Sequence, residues 1–179
     1  VDEAYVDFGA ESAVGLVDKY DNLLVVQTFS KSRSMAGMRI GFAIGNPLLI
    51  KYLNDVKYSF NSYTMSQLAL RLGTEALRDE AYFQETVAKI IKTREQAKRR
   101  LAELGFRLPD SSANFLFVTH PGYPAKELYE ALKKEDIYVR YFDAPRIDQY
   151  LRITIGTDEQ MEALYAFLER YEALHRKER

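Results

Sequence analysis

A lysine, an arginine and several hydroxyl groups follow one apolar segment of the chain at short intervals. Residues 23–29 are apolar and β-branched, which predicts a buried strand. Lys31 comes just after this segment, with Thr28 and Ser30 beside it and Arg39 eight residues later. Loops that follow the strands of α/β folds bind ligands, and an amine, a guanidinium and hydroxyls would suit an anion there. A basic surface loop would have the same composition, so both interpretations stay open.

An acid and a phenol, Asp2 and Tyr5, lie three residues apart in an apolar, acidic segment at the start of the sequence. The segment is typical of the end of a strand, where such side chains could contact a polar ligand. A solvent-exposed turn would show the same residues, and the spacing alone does not separate the two interpretations.

Two arginines occur in neighbouring segments near the end of the sequence. Residues 137–142 and 150–155 are predicted strands, and they carry Arg140 and Arg152 respectively. Alternation along the second segment places Arg152 on the face opposite its apolar residues. Two guanidinium groups on adjacent strands could converge on a carboxylate or a phosphate. They could also be two edge-strand arginines that face water.

The overall composition excludes several classes of protein. The 179 residues include 25 basic and 26 acidic side chains, and 47% of the residues are hydrophobic. Such a chain is not expected to be disordered, nor to bind nucleic acid or an anionic membrane surface mainly through its charge. No run of apolar residues approaches the ~18 that a membrane span needs. With no cysteines and two histidines, we expect neither disulfides nor a metal site.

The hydrophobic pattern predicts an α/β protein with two domains. A strand over 38–44, a helix after Pro47 and a second helix over about 65–77 would belong to residues 1–80, a remnant of a larger domain. Residues 81–179 would form a smaller α/β domain with a partly antiparallel sheet. Its predicted elements are a long helix over 81–104 that ends at Gly105, strands over 114–119, 137–142 and 150–155, a helix over 125–134, and a final helix that starts at a capping box over 157–160.

Taken together, the order and spacing of these motifs resemble a known family. Asp-x-x-Tyr, then Ser-Lys with an arginine eight residues after the lysine, then Leu-Arg-Ile-Thr-Ile-Gly look like a fold-type I aminotransferase that uses pyridoxal phosphate. Residues 139–146 and 150–157 are similar to the corresponding segments of histidinol-phosphate aminotransferases. The resemblance covers essentially the whole chain but only the C-terminal half of the family's usual length, so we expect the chain to be a fragment.

The resemblance implies catalytic roles for three residues. Lys31 would hold the cofactor through its amine and would then carry a proton as general base and general acid. Asp2 would pair with the nitrogen of the cofactor ring and keep it protonated. Tyr5 would donate a hydrogen bond to the ring oxygen.

The same resemblance implies two anion-binding groups. Arg39 would bind the phosphate of the cofactor, with help from the hydroxyl groups of Thr28 and Ser30. Arg152 would bind the anionic end of the substrate. Arg140 would be a second guanidinium suited to a dianionic phosphate ester.

The activity implied by the resemblance is transamination between L-histidinol phosphate and 2-oxoglutarate in histidine biosynthesis, by a cytoplasmic homodimer. We expect the chain alone to hold cofactor weakly, to be inactive and to expose apolar surface. Three alternatives stay open: a pyridoxal-phosphate decarboxylase of a phosphorylated amino acid such as threonine phosphate, another class I/II aminotransferase, and a non-catalytic binding or dimerisation module.

Overall fold

The computed structural model describes residues 1–176, and the chain divides into two units. The first unit is Val1–Ala88, and the second begins at Lys89. The division lies within one long helix, α3, which runs over Glu80–Glu103. The predicted domains, residues 1–80 and 81–179, stay a prediction.

The first unit contains a two-stranded antiparallel sheet. Strand β1, Leu24–Thr28, pairs with β2, Gly41–Gly45, so that Thr28 lies opposite Gly41. The predicted strand over 38–44 starts late because Ala36–Met38 forms a short 3₁₀ helix instead. At the other side of β1, Asp2 forms a parallel bridge with Val26. The start of the chain is therefore held against the strand that leads to Lys31.

Two helices follow this sheet, and each begins at a side-chain cap. Helix α1, Pro47–Phe60, has Asn46 at its N-cap, where the side chain accepts from the Leu48 N–H at 2.9 Å. Helix α2, Gln67–Arg78, has Ser66 at its N-cap. Gly73 lets α2 approach the loop after β1, because a Cβ atom there would lie 2.8 Å from Ile40 Cδ1. Both predicted helices are confirmed.

The second unit contains a three-stranded sheet. Its strands are β3, Phe115–Val118, β4, Arg140–Tyr141, and β5, Leu151–Thr154. They lie in the order β3-β5-β4, with each neighbouring pair antiparallel. Strand β4 is shorter than predicted because the Ile137 N–H donates to Leu132 O at 3.0 Å and closes the end of a helix.

Two further helices complete the second unit, and their predicted starts are confirmed. Helix α4 spans Ala125–Lys134 and α5 spans Asp158–Arg176. The capping box precedes α5: the Thr157 N–H donates to Gln160 Oε1 at 2.9 Å, and the Gln160 N–H donates to Thr157 Oγ1 at 3.4 Å. Gly105 follows α3 with a φ of 81°, the left-handed conformation expected of a C-cap glycine.

The core of the second unit lies between one face of its sheet and helices α3, α4 and α5. That face supplies the buried side chains of Leu116, Val118, Leu151 and Ile153. The helices supply Leu101, Leu128, Leu132, Leu164 and Leu168, among others. Alternation along the strands leaves the opposite face of the sheet for arginine and aromatic side chains. No helix within residues 1–176 is long and apolar enough to cross a bilayer.

Candidate functional site

Lys31 lies in the loop that joins β1 to β2, residues 29–40. Backbone hydrogen bonds shape this loop, among them two close to Lys31: the Ser34 N–H donates to Lys31 O, and the Met35 N–H donates to Phe29 O, both at 3.0 Å. The Lys31 side chain is exposed, and its Nζ atom lies 5.4 Å from the centre of the Tyr5 ring. The structure therefore brings together two of the residues singled out in the sequence, although they are 26 positions apart.

The backbone of this loop is strained at two non-glycine positions. Ser34 has a φ of 55° and Arg39 a φ of 58°, both in the left-handed region. Each such residue costs about 1–2 kcal/mol, and it persists only where the surrounding structure enforces it. The loop therefore has a conformation that its own residues would not choose in isolation.

The predicted phosphate-binding hydroxyls meet at the base of the loop. Thr28 Oγ1 lies 2.9 Å from Ser30 Oγ and 3.1 Å from Ile40 O, and it accepts from the Ser30 N–H at 3.1 Å. The Thr28 hydroxyl thus bonds within the loop and helps to shape it. Arg39 is exposed and donates from Nη1 to Ala36 O at 2.9 Å, which leaves other N–H groups of its guanidinium for an anion.

Asp2 and Glu3 face opposite ways at the start of the first unit. Asp2 is exposed, and its carboxylate accepts from the Ala4 N–H at 3.0 Å. Glu3 is buried and accepts from the Ala13 N–H at 2.6 Å, Ser12 Oγ at 2.8 Å and Gln27 Nε2 at 2.9 Å. Burial alone would raise the pKa of Glu3, but the hydrogen bonds outweigh it and hold the pKa below its ordinary value.

Sequence reasoning missed Glu3 and one further polar bond beside Lys31. The hydroxyl of Ser32, which is buried, donates to the carboxylate of Asp7. Two signals in the sequence pointed to these residues. Glu3 and Asp7 lie, together with Asp2, in an otherwise apolar segment, and Ser32 follows the lysine directly. Nothing in the sequence showed which of the nearby acids is buried, because that depends on the pairing of residues 1–3 with β1.

The predicted pair of arginines is formed in the second unit. Arg140 and Arg152 are direct partners in the antiparallel register of β4 and β5, so their side chains leave the same face of the sheet. Both guanidinium carbons lie near the ring of Phe142, at 5.4 Å and 5.8 Å from its centre. Phe117, the partner of Arg152 on β3, stacks on Tyr150 at 4.5 Å. Among the described residues neither guanidinium has a carboxylate partner.

Comparison with known proteins gives a consistent family assignment. Residues 1–168 match the family described as aminotransferase class I and II. The histidinol-phosphate aminotransferase of Brachyspira hyodysenteriae is 57% identical over 163 residues, which are 90% of this chain and 46% of that protein. The chain spans about half the length of the curated relatives it matches. Which half it represents stays a prediction.

Solved structures share the fold. The histidinol-phosphate aminotransferase of Clostridium acetobutylicum superposes with a TM-score of 0.87 at 26% identity, over 96% of this chain and 53% of that one. The enzyme from Sinorhizobium meliloti, solved in complex with pyridoxal-5′-phosphate, gives a TM-score of 0.82 at 26% identity, over 97% and 48%. The mixed α/β architecture predicted from the sequence is therefore confirmed as that of fold-type I aminotransferases. The family match extends over all but the last residues of the sequence, and the chain belongs to the class I and II aminotransferases.

Proposed function

We propose that the protein to which this chain belongs transfers an amino group between L-histidinol phosphate and 2-oxoglutarate, with pyridoxal phosphate as its cofactor. The products are imidazole-acetol phosphate and glutamate, in histidine biosynthesis. One observation carries the choice of a phosphorylated substrate: Arg140 and Arg152 are direct cross-strand partners, and neither has a carboxylate partner within residues 1–176. Like charges in such positions destabilise a sheet, and a bound anion offsets that cost.

The residues around Lys31 suit pyridoxal phosphate by the chemistry of their side chains. An exposed amine lies close to a phenol, and an exposed carboxylate, Asp2, stands in the same unit. The Ser30 hydroxyl, which the neighbouring Thr28 hydroxyl contacts, and Arg39 supply donors for a phosphate. Bound there, the cofactor supplies an electron sink for the carbanion that forms when the substrate loses a proton.

Lys31 has two duties in this proposal. Its amine would hold the cofactor. Once released, the neutral Nζ atom would take the proton from the amine-bearing carbon of the substrate as general base and then donate it as general acid. The Asp2 carboxylate would accept a hydrogen bond from the protonated nitrogen of the cofactor ring. The Tyr5 hydroxyl donates a hydrogen bond to the ring oxygen. Arg39 and Ser30 bind the phosphate, while Thr28 keeps the loop in shape.

Arg140 and Arg152 select the substrate. Histidinol phosphate carries a phosphate ester where most amino-acid substrates carry only a carboxylate, and two guanidinium groups match its double charge. The same pair would bind the carboxylates of glutamate or 2-oxoglutarate in the second half of the reaction. Phe142 lies close to both guanidinium groups and would restrict their movement.

The first experiment tests the lysine. Pyridoxal phosphate is added to the chain, the adduct is reduced with borohydride, and the labelled peptide is mapped. We expect label at Lys31. The measurement is repeated after the chain is joined to the part of a histidinol-phosphate aminotransferase that it does not match, and scattered label in both forms would overturn the proposal.

The second experiment tests the reaction. The joined protein should convert histidinol phosphate and 2-oxoglutarate to glutamate, and we expect the chain alone to be inactive. Release of carbon dioxide from threonine phosphate, without glutamate-dependent chemistry, would favour the decarboxylase alternative instead.

We propose in addition a cytoplasmic homodimer. Support comes from the apolar side chains that α1 and α2 expose, including Val56, Phe60 and Leu68, because large exposed apolar patches mark interaction surfaces. Sedimentation equilibrium of the joined protein gives the test, and a monomer at micromolar concentration would contradict it.

A further inference from the structure

Arg33, two residues after Lys31, makes a set of contacts unlike those of an ordinary loop arginine. Its side chain is 14% exposed. Nη1 donates to Ala76 O at 2.6 Å, in the last turn of α2. The guanidinium carbon lies 4.0 Å from the centre of the Phe83 ring on α3 and 5.5 Å from that of Phe29. All of these residues belong to the first unit.

These contacts are favourable for physical reasons that do not depend on the rest of the protein. The C-terminal end of a helix carries partial negative charge and unpaired carbonyl groups, so a cation that donates to Ala76 O is stabilised there. A guanidinium over an aromatic face is attracted by the ring, and more strongly when water is excluded. Nη2 also lies 3.9 Å from a carboxylate oxygen of Glu80, although that side chain is largely exposed.

The side chains of Ser32 and Arg33, the two residues after Lys31, are anchored by hydrogen bonds, whereas the Lys31 side chain is exposed. Ser32 is bound to Asp7, and Arg33 is bound to the junction of α2 and α3. The Lys31 side chain is exposed, and its Nζ atom lies 5.4 Å from the centre of the Tyr5 ring. Ser34, the next residue, has the strained φ of 55°. A loop with that strain relaxes if its anchors are removed.

We propose that Arg33 is a positioning residue that holds the Lys31 amine in the orientation needed for its reaction with pyridoxal phosphate. This inference rests on the proposed function of Lys31. Arg33 touches neither the cofactor nor the substrate in this scheme. It acts by fixing the loop against α2 and α3.

The test compares labelling of two lysines in the same molecule. The borohydride experiment is run on whichever form, chain or joined protein, labels at Lys31, and label at Lys31 is divided by label at Lys126, an exposed lysine on α4. Arg33→Met keeps a flexible, unbranched apolar side chain but removes the guanidinium with its charge and donors. We expect the ratio to fall about tenfold, since small displacements of reacting groups carry large penalties in rate.

Three variants control the measurement. Arg33→Lys can still donate to Ala76 O and should restore part of the ratio, which loss of packing alone would not predict. Arg78→Met is the matched control. Arg78 lies on α2, the helix that Arg33 contacts, but it is 70% exposed and paired with Glu75. This substitution should leave the ratio unchanged. If Arg33→Met does not fold, as judged by circular dichroism, Phe83→Leu decides, with an expected fall of about twofold to fivefold.

The outcomes separate the two hypotheses. A folded Arg33→Met variant, or failing that Phe83→Leu, with the unmodified ratio overturns the positioning role and leaves Lys31 in place. Unmodified protein that labels Lys31 no more than Lys126 in either form overturns the assignment of Lys31, and the inference about Arg33 with it.

Discussion

Each of the two units of this chain is stabilised internally by a different kind of interaction. The second unit has a continuous apolar core shared by one sheet face and three helices. In the first unit the cluster beneath the Lys31 loop is small, with Phe29, Ile40 and Ala69 buried, and α1 buries no side chain. Partly buried polar bonds, those of Glu3, Ser32 and Arg33, hold the first unit at the points that matter most for the proposed site.

The difference teaches how a strained loop can be kept in place without a large core. Apolar packing is insensitive to direction, whereas hydrogen bonds and cation–π contacts require particular geometries. The loop that carries Lys31 is placed by contacts of the second kind. We therefore expect substitutions in the Lys31 loop of the first unit to affect chemistry more than stability, and substitutions in the apolar core of the second unit to do the reverse.

The largest effect is expected for Lys31→Ala in the joined protein. Transamination should fall by at least about 10²–10⁴-fold, because the amine that moves the proton is lost. The free energy of unfolding should change by less than about 0.5 kcal/mol, since the side chain is exposed. Steady-state assays and urea unfolding give the two numbers, with Lys126→Ala as the matched control. Wild-type activity in Lys31→Ala would break the division of roles.

The next largest effect concerns the free energy of unfolding, when the same truncation of leucine to alanine is made in each unit. Leu132 on α4 is fully buried, whereas Leu53 on α1 is 45% exposed. Leu132→Ala should lower the free energy of unfolding by about 2–5 kcal/mol through lost burial and a residual cavity. Leu53→Ala should cost less than about 1 kcal/mol in the isolated chain. Urea unfolding, resolved by hydrogen exchange of peptides from each unit, provides the measurement, and similar losses would refute the contrast.

Arg140→Met probes the proposed anion site in the second unit. Removing one guanidinium of the pair should weaken binding of inorganic phosphate and raise the KM for histidinol phosphate by about tenfold or more, because hydrogen bonds to charged groups contribute about 1.5–3 kcal/mol. The kcat should change less than the KM. Arg99→Met, an exposed arginine on α3, serves as the control for lost charge. An equal effect of both substitutions would indicate general electrostatics and no specific pair.

Glu3→Gln tests the polar bonds of the first unit through pH. The pKa of Glu3 is lowered in the folded state, so its carboxylate contributes stability that is fully present above the unfolded value near 4.5 and is lost as the pH falls through the lower folded value. The substitution should cost about 1–3 kcal/mol at neutral pH and flatten the loss of first-unit stability below about pH 5. Hydrogen exchange between pH 3 and 7 would show it, and an unchanged acid profile would argue against the buried carboxylate.

Much of the fold follows from short-range patterns. The limits of α4 and the capping box before α5 depend on residues within one or two turns of each other, and both were predicted correctly. The position of Lys31 after an apolar strand was likewise visible in the sequence. Strand β4 was predicted too long, because the N–H of Ile137 binds the end of α4 rather than a neighbouring strand.

The candidate sites, in contrast, depend on contacts between distant parts of the chain. Local periodicity placed Arg152 on the polar face of its strand, but only the register of β4 against β5 makes it the partner of Arg140. The pairing of residues 1–3 with β1 decides that Asp2 is exposed while Glu3 is buried. The anchoring of Arg33 arises from the approach of α2, through Gly73, to the Lys31 loop. Residue type and spacing therefore determined which groups were available for chemistry, whereas long-range pairing and packing decided which of them meet, because hydrogen-bond register and helix contact are set by the whole chain and not by any one segment.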